Sequence, residues 1–285
     1  MNVFGIVSAP CADAQSGANE ARPRDLLSEG NARMTPHDLL TGRTIIVTGA
    51  ATGIGAAFAL GCAAQGAHVV VADMNPADET MAALAAAGAP ATYVQVDVSD
   101  EASTRAMAQA ALQATGRIDG LVNNAAYFRE VRLTPFEEIS PERWQRIFDV
   151  NVKGIWQTCK AVMPAMRERR TGAIVNIASV VAVAGQPGYL DYVATKGAVL
   201  AMTKALAKEC GPAGVRVNVI APGFVLTDAT KNRPLEWQQS FLKARALSRE
   251  QRPDDLVGTA LYLLSDLAGF VSGQTVVVDG GHIMY

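Results

Sequence analysis

From residue 44 onward, short apolar runs rich in β-branched residues alternate with longer stretches of helical character. "TIIVT" (44–48), "HVVVAD" (68–73), "ATYVQVDV" (91–98), "IDGLVNNA" (118–125), "GAIVNIAS" (172–179), "VRVNVIAP" (215–222) and "QTVVVD" (274–279) read as strands. Between them the pattern predicts helices. One runs to about Gln65, one covers "ADETMAALAAAG", and one runs from about Glu101 to Thr115. A long helical region ends near Arg170, another helix spans Tyr189 to Cys210, and a last one spans Pro253 to Ser265. Strands that are continuously apolar, separated by helices, belong to a parallel sheet covered on both faces. The expectation is an α/β fold: a doubly wound parallel sheet of about seven strands, in a single domain over 41–285.

Residues 1–40 lack this periodicity and are rich in Ala, Gly, Ser, Pro and charge, so they read as a disordered tail. Their start has no basic region, and its apolar stretch is broken by Gly5 and Pro10, unlike a secretory signal. No apolar run reaches the roughly 18 residues that span a bilayer. The chain is 49% hydrophobic and 18% charged with a net charge of −2, which gives no reason to expect nucleic acid or a membrane as partner. Cys11, Cys62, Cys159 and Cys210 are scattered, as free thiols in a reducing, cytoplasmic compartment would be. His37, His68 and His282 lie far apart without zinc-ligand spacing, so no metal-dependent mechanism is expected.

Chemistry enters at the first strand-to-helix turn. "TIIVTGAATGIG" sets Gly49, Gly53 and Gly55 between a buried strand and a helix. Glycines there let the backbone approach a pyrophosphate, and the helix N-terminus offers it free N–H groups and a positive dipole end. The spacing G-x-x-x-G-x-G differs from the general dinucleotide fingerprint. Asp73 ends the second strand, near the offset of about 20 residues at which an acid binds the adenosine ribose. It could also be a helix cap before "MNPADE". A carboxylate there repels a 2′-phosphate, and no Arg or Lys stands at 50–52 or 74–75 to hold one. NAD is therefore favoured over NADP.

A nicotinamide oxidoreductase without metal needs a group that takes a proton from a hydroxyl, and the three histidines are badly placed for it. Tyr192 and Lys196 in "YLDYVATKGAV" share a helix face at i,i+4, a spacing that is common on a plain solvated face. A phenol near pKa 10 is a poor base, but an adjacent ammonium and a cationic nicotinamide would favour phenolate.

With these residues in place, the chain closely resembles the short-chain dehydrogenase/reductase family over about 41–285. The motifs, in order, are "TGAATGIG" (48–55), "VDVSD" (96–100), "NNAA" (123–126), "VNVKG" (150–154), "NIAS" (176–179), "YVATK" (192–196), "APGFVLT" (221–227) and "VDGG" (278–281). The resemblance implies that Tyr192 is the catalytic acid/base and that Lys196 lowers its pKa and binds the nicotinamide ribose. Ser179 would hold the substrate oxygen, and Asn151 would anchor a water in the proton relay behind the lysine. It further implies cofactor contacts from Thr52 and Ile54 in the first turn and from Met74 beside Asp73. Asp97 and Val98 would contact the adenine, with Asn124, Ala125 and Ala126 beside the adenosine ribose. Pro222, Gly223, Val225 and Thr227 would frame the carboxamide and phosphates. Ala126 stands where Gly is common and Thr195 where Ser is common, and neither change removes a chemical group.

The reading is an NAD-dependent dehydrogenase/reductase acting on a secondary alcohol or ketone. The alternatives are an NADPH-dependent reductase of 3-oxoacyl thioesters and, in another class, a non-catalytic NAD-binding scaffold protein. Ser179 as a hydrolase nucleophile is disfavoured, because "IASVV" lacks the G-x-S-x-G elbow. Segments 127–131, 180–190 and 226–247, with Arg129, Lys231 and Arg233, mix aromatics and cations and suit a medium-sized, partly apolar hydroxy or oxo compound. The stretches "YVATKGAVLAMTKALA" and "GIWQTCKAVMPAM" are apolar on more than one face. In the family such helices pack against copies in a second subunit, which implies a homotetramer, or at least a dimer.

Overall fold

The computed structural model describes residues 39–128, 130–233 and 235–284. The expected disordered tail lies, apart from residues 39 and 40, outside the described residues. Seven strands form one sheet: β1 (Thr44–Thr48), β2 (His68–Asp73), β3 (Ala91–Gln95), β4 (Gly120–Asn123), β5 (Gly172–Ile177), β6 (Val215–Pro222) and β7 (Thr275–Val278). Their spatial order is β3-β2-β1-β4-β5-β6-β7, and every pairing is parallel. The order reverses between β1 and β4, so the chain winds outward from that point in two directions.

The helices are α1 (Gly53–Ala64), α2 (Asp78–Ala86), α3 (Glu101–Thr115), α4 (Pro141–Phe148), α5 (Gly154–Arg169), α6 (Val181–Ala184), α7 (Leu190–Cys210), α8 (Leu235–Ala244) and α9 (Asp254–Leu264). Successive strand residues face opposite sides. Ile45 and Val47 join a core with Phe58 of α1, Leu84 of α2 and Leu263 of α9. Ile46 joins a second core with Met107 of α3, Val162 of α5 and Val199 of α7. Because both faces are covered, the strands are continuously apolar rather than alternating. Leu40 is fully buried in the first core, so the folded body begins at least one residue before the expected 41. Among the described residues no helix is long and apolar enough to cross a membrane.

Several elements differ from the sequence reading. β4 and β5 stop two residues short of their expected ends and β3 three, because the chain leaves the sheet there. The long helical region resolves into α4, a π-type turn at Asp149–Lys153, and α5. Two helices, α6 and α8, arise in stretches read as pocket segments.

Two glycines set the first turn. Gly49 has φ +64°, and a Cβ on it would meet Ala125 Cα at 2.8 Å. At Gly55 a Cβ would stand 2.0 Å from the carbonyl oxygen of Gly49, a contact with backbone that no rotamer relieves. Gly55→Ala is therefore expected to destabilise the fold by at least about 2 kcal/mol, in the range of overpacked cores. Chemical denaturation checks this, and a wild-type midpoint would contradict the close approach.

Candidate active site

The carboxyl ends of the strands surround one cavity of about 820 Å³, at the place where the strand order reverses. That crevice is where open α/β sheets bind ligands. Its floor is the first turn. Thr48 Oγ1 accepts the backbone N–H groups of Asn124 and Ala125, both at 3.1 Å. The Asn124 amide donates back to Thr48 O at 3.1 Å and Gly49 O at 2.9 Å. These bonds clasp the ends of β1 and β4 together. The N-terminus of α1 carries no side-chain cap, so its N–H groups remain available to an anion.

Asp73 lines the cavity and also staples the turn. Its Oδ2 accepts Ala51 N at 2.9 Å and its Oδ1 accepts Asn75 N at 2.9 Å. The capping role considered from sequence is not found: the N-cap position of α2 is Ala77, with no side-chain bond, and Asp73 bonds to the glycine turn instead. Burial pushes Asp97 upward, but hydrogen bonds from Ser99 N–H and Oγ–H, with the charges of Arg146 and Lys153, hold it below the usual carboxylate range.

Of the other expected contacts, Gly49, Thr52, Gly53, Ile54, Met74, Val98, Asn124, Ala125 and Ala126 line the cavity. So do Pro222, Gly223, Val225 and Thr227, from β6 and the segment after it. Gly55 does not; it is buried behind the turn. Arg129 lies outside the described residues.

At the far end, Ser179, Tyr192 and Lys196 converge on the same cavity. Ser179 follows β5, while Tyr192 and Lys196 stand one turn apart on α7. Tyr192 is flanked by Phe128, with ring centroids 4.9 Å apart, and by Tyr189 at 6.4 Å. Lys196 Nζ is buried, donates to Ile177 O at 2.8 Å and lies 5.6 Å from the centroid of the Tyr192 ring. Burial pulls this lysine down to about 8. Burial also raises the Tyr192 phenol above its ordinary value, with hydrogen bonding to Ser179 opposing and Tyr189 adding to the rise. The lowering expected from Lys196 is thus not realised in the chain alone, because desolvation outweighs it.

Asn151 sits in the π-type turn, fully buried and away from the cavity lining. Its Oδ1 accepts Tyr127 N at 2.7 Å, and its Nδ2 donates to Thr195 Oγ1 at 3.2 Å. Thr195 Oγ1 in turn donates to Tyr192 O at 2.8 Å, so Asn151 reaches Tyr192 through α7. Sequence reasoning overlooked the clasp at Thr48 and Phe224 in the cavity wall, whereas Phe128, which packs on Tyr192, and Phe241 lie in segments expected to line the pocket. Thr48 could have been found as the first residue of the glycine-rich motif.

The donor set fits a dinucleotide: an uncapped helix N-terminus behind a glycine turn, a carboxylate at the end of β2, and an ammonium beside a phenol. A sequence model for a family described as enoyl-(acyl carrier protein) reductase matches residues 49–282. A 3-oxoacyl-(acyl carrier protein) reductase of Thermotoga maritima is 36% identical over 248 residues, which cover 86% of this chain and 99% of the relative. The chain belongs to the short-chain dehydrogenase/reductase family. A second member, a 3-oxoacyl-(acyl carrier protein) reductase of Synechocystis sp., is 38% identical over 250 residues, covering 86% of this chain and 99% of the relative. The crystal structure of levodione reductase superposes with a TM-score of 0.80 at 31% identity, covering 85% of this chain and 97% of that one. As a member of this short-chain family the chain is an oxidoreductase with a site for a nicotinamide cofactor.

The depressed lysine has a consequence for stability. Between about 8 and its ordinary 10.5, Lys196 is neutral in the folded chain and protonated in the unfolded chain. The unfolded state then binds more protons, so stability rises with pH across that window, and the burial penalty weighs fully below it. Lys196→Met removes the penalty, offset in part by the donor lost at Ile177 O. The ligand-free variant should melt a few degrees above wild type at neutral pH, with the gap closing towards pH 10. Thermal melts across that pH range check it; a gap independent of pH would mean that Lys196 stays hydrated.

Proposed function

We propose that this enzyme is an NAD-dependent dehydrogenase/reductase that interconverts a secondary alcohol and a ketone, with Tyr192 as the general acid/base. The observation that carries this reading is the convergence of Ser179, Tyr192 and Lys196 at one end of the cavity whose other end holds Asp73. When bound, the nicotinamide accepts or supplies the hydride. In the reductive direction Ser179 holds the carbonyl oxygen and Tyr192 delivers a proton to it. Lys196 binds the nicotinamide ribose and stabilises the phenolate left behind. Asn151 acts from behind the site, holding Tyr127 and, through Thr195, the first turns of α7. Asp73 receives the adenosine ribose hydroxyls and disfavours a 2′-phosphate, which makes NAD the cofactor rather than NADP.

A second reading, a reductase of 3-oxoacyl thioesters, is favoured by the printed names of the Thermotoga maritima and Synechocystis relatives. A scaffold without catalysis is harder to reconcile with a buried lysine beside a half-buried phenol, because an amine out of water is costly to retain. The assembly is a homotetramer in this reading. Supporting it, Trp156 of α5 is half exposed, and Leu267 and Phe270 stand out beyond α9. The buried thiols of Cys62 and Cys159 suit a reducing cytoplasm.

Tyr192→Phe removes the acid and keeps the ring, so kcat should fall by at least about a hundredfold while NAD still binds. The raised phenol also sets a sign. Protonated Tyr192 serves reduction, so reduction should hold across neutral pH and fall, with alcohol oxidation climbing, as the pH approaches and passes the ordinary phenol value of about 10. Steady-state rates in both directions check this. Near wild-type turnover by Tyr192→Phe, or two flat profiles, would overturn the mechanism.

Cofactor choice is tested separately. Asp73→Ala should lower kcat/KM for NAD by about tenfold and narrow the gap to NADP, as expected for a lost charge-assisted contact. A wild type that prefers NADP would contradict the assignment of Asp73.

A further inference from the structure

The residue before the proposed acid is Asp191, and it is fully buried. Its Oδ2 accepts Arg143 Nε at 2.6 Å and its Oδ1 accepts Arg143 Nη2 at 3.2 Å. Oδ1 also accepts the backbone N–H of Tyr192 at 2.9 Å. The guanidinium has two further bonds, into the neighbouring loop. Nη1 donates to Thr134 Oγ1 at 2.7 Å, and Nη2 donates to Arg132 O at 3.1 Å. Thr134 N donates to Gly188 O at 3.0 Å, just ahead of α7. One side chain of α4 therefore ties together the 132–134 loop and the first turn of the helix that carries Tyr192.

Taking two charges out of water cancels much of their attraction, so such a pair is weak support for stability and is better explained by what it holds in register. What it holds here is a small core of Val131, Ile147 and Tyr189, separate from the two large ones, with Tyr127, Tyr192 and Val193 packed on it. A core this small contributes few apolar contacts, so directional bonds fix its place relative to the sheet. Neither Arg143 nor Asp191 lines the cavity.

We propose that the Arg143–Asp191 pair is the positioning device for Tyr192, fixing the first turn of α7 and the loop wall beside it in one geometry. This rests on Tyr192 being the acid/base. A matched pair supplies the control. Arg117 Nε and Nη2 each donate to buried Asp119 at 2.6 Å, and Asp119 Oδ2 accepts Thr44 N at 2.9 Å. That pair has the same chemistry but sits at the amino ends of β1 and β4, the end of the sheet away from the cavity.

The test compares Arg143→Met, Asp191→Asn, their double variant and Arg117→Met, with NADH and the ketone or 3-oxo ester that wild type reduces fastest. A displacement of about 1 Å in a catalytic group is worth about a hundredfold, so Arg143→Met is expected to lower kcat by at least about tenfold. KM for NADH should stay within about twofold, because no contact with the cofactor changes. The double variant should be no worse than the poorer single variant by more than about twofold, as residues acting as one unit behave. Arg143→Lys should restore little, because an ammonium cannot form the fork. Amide exchange at Tyr192 should quicken in Arg143→Met and not in Arg117→Met, which should lower Tm and leave kcat near wild type. If Arg143→Met does not fold, Asp191→Asn carries the test, since it keeps the shape and an acceptor for Tyr192 N. Folded Arg143→Met with wild-type kcat, or an equal kcat loss in Arg117→Met, overturns the proposal. An inactive Tyr192→Phe beside a fully active Arg143→Met would sink this proposal alone, whereas an active Tyr192→Phe would sink the mechanism beneath it.

Discussion

Lys196 places an amine in the wall of the cavity with a single protein acceptor, the carbonyl of Ile177, and with no carboxylate in ion-pair range among the described residues. Much of the site follows from that choice. Without a counter-ion the lysine is pulled down, and the same low-polarity surroundings push the neighbouring phenol up. Two groups whose ordinary values nearly coincide are driven in opposite directions by one environment. The lysine thus becomes the readier proton donor of the two, while the phenol holds its proton until a charge arrives to stabilise its loss. A carboxylate beside Lys196 would have undone this, keeping the ammonium charged but neutralising its influence on Tyr192.

Such a site needs a scaffold that does not relax around it, and the sheet supplies one through polar as well as apolar contacts. Asn123 Nδ2 donates to Asn176 Oδ1 at 2.9 Å, Thr158 Oγ1 donates to Asn123 Oδ1 at 2.6 Å, and Asn176 Nδ2 donates to Thr203 Oγ1 at 2.9 Å. This buried chain links β4, β5, α5 and α7 immediately beneath the cavity. Being fully satisfied, it adds directionality to a core that hydrophobic packing alone would leave free to slide.

Much of this was legible in the sequence. The strands were visible because burial on both faces demands unbroken β-branched runs, and α3 was found residue for residue from its helical pattern. The strand ends were overcalled for a functional reason: at 96–98, 124–125 and 178–179 the strand-like runs continue while the chain peels away to line the cavity. Helix α8 was hidden because "LEWQQSFLKA" has the mixed character of a pocket segment. In the site, the positions of Ser179, Tyr192 and Lys196 followed from motif order, whereas Gly55 and Asn151 proved to support the cavity rather than face it. The partnership of Arg143 with Asp191 was invisible, because residues 48 apart with no shared periodicity meet only through the packing of α4 on α7.

The π-type turn at Asp149–Lys153 carries a consequence beyond the placement of Asn151. An extra residue in one helical turn advances the phase of everything after it by about 100°. The apolar stripe of α5, with Cys159, Val162 and Met166 against the sheet, is therefore out of step with that of α4, as if the two belonged to different rods. Losing a single residue between 149 and 153 would heal the helix into a regular one and, in the same stroke, rotate one of those stripes off its target. Length at this point is thus as constrained as chemistry: beside Asn151, whose side chain is itself tied down, the number of residues matters in its own right.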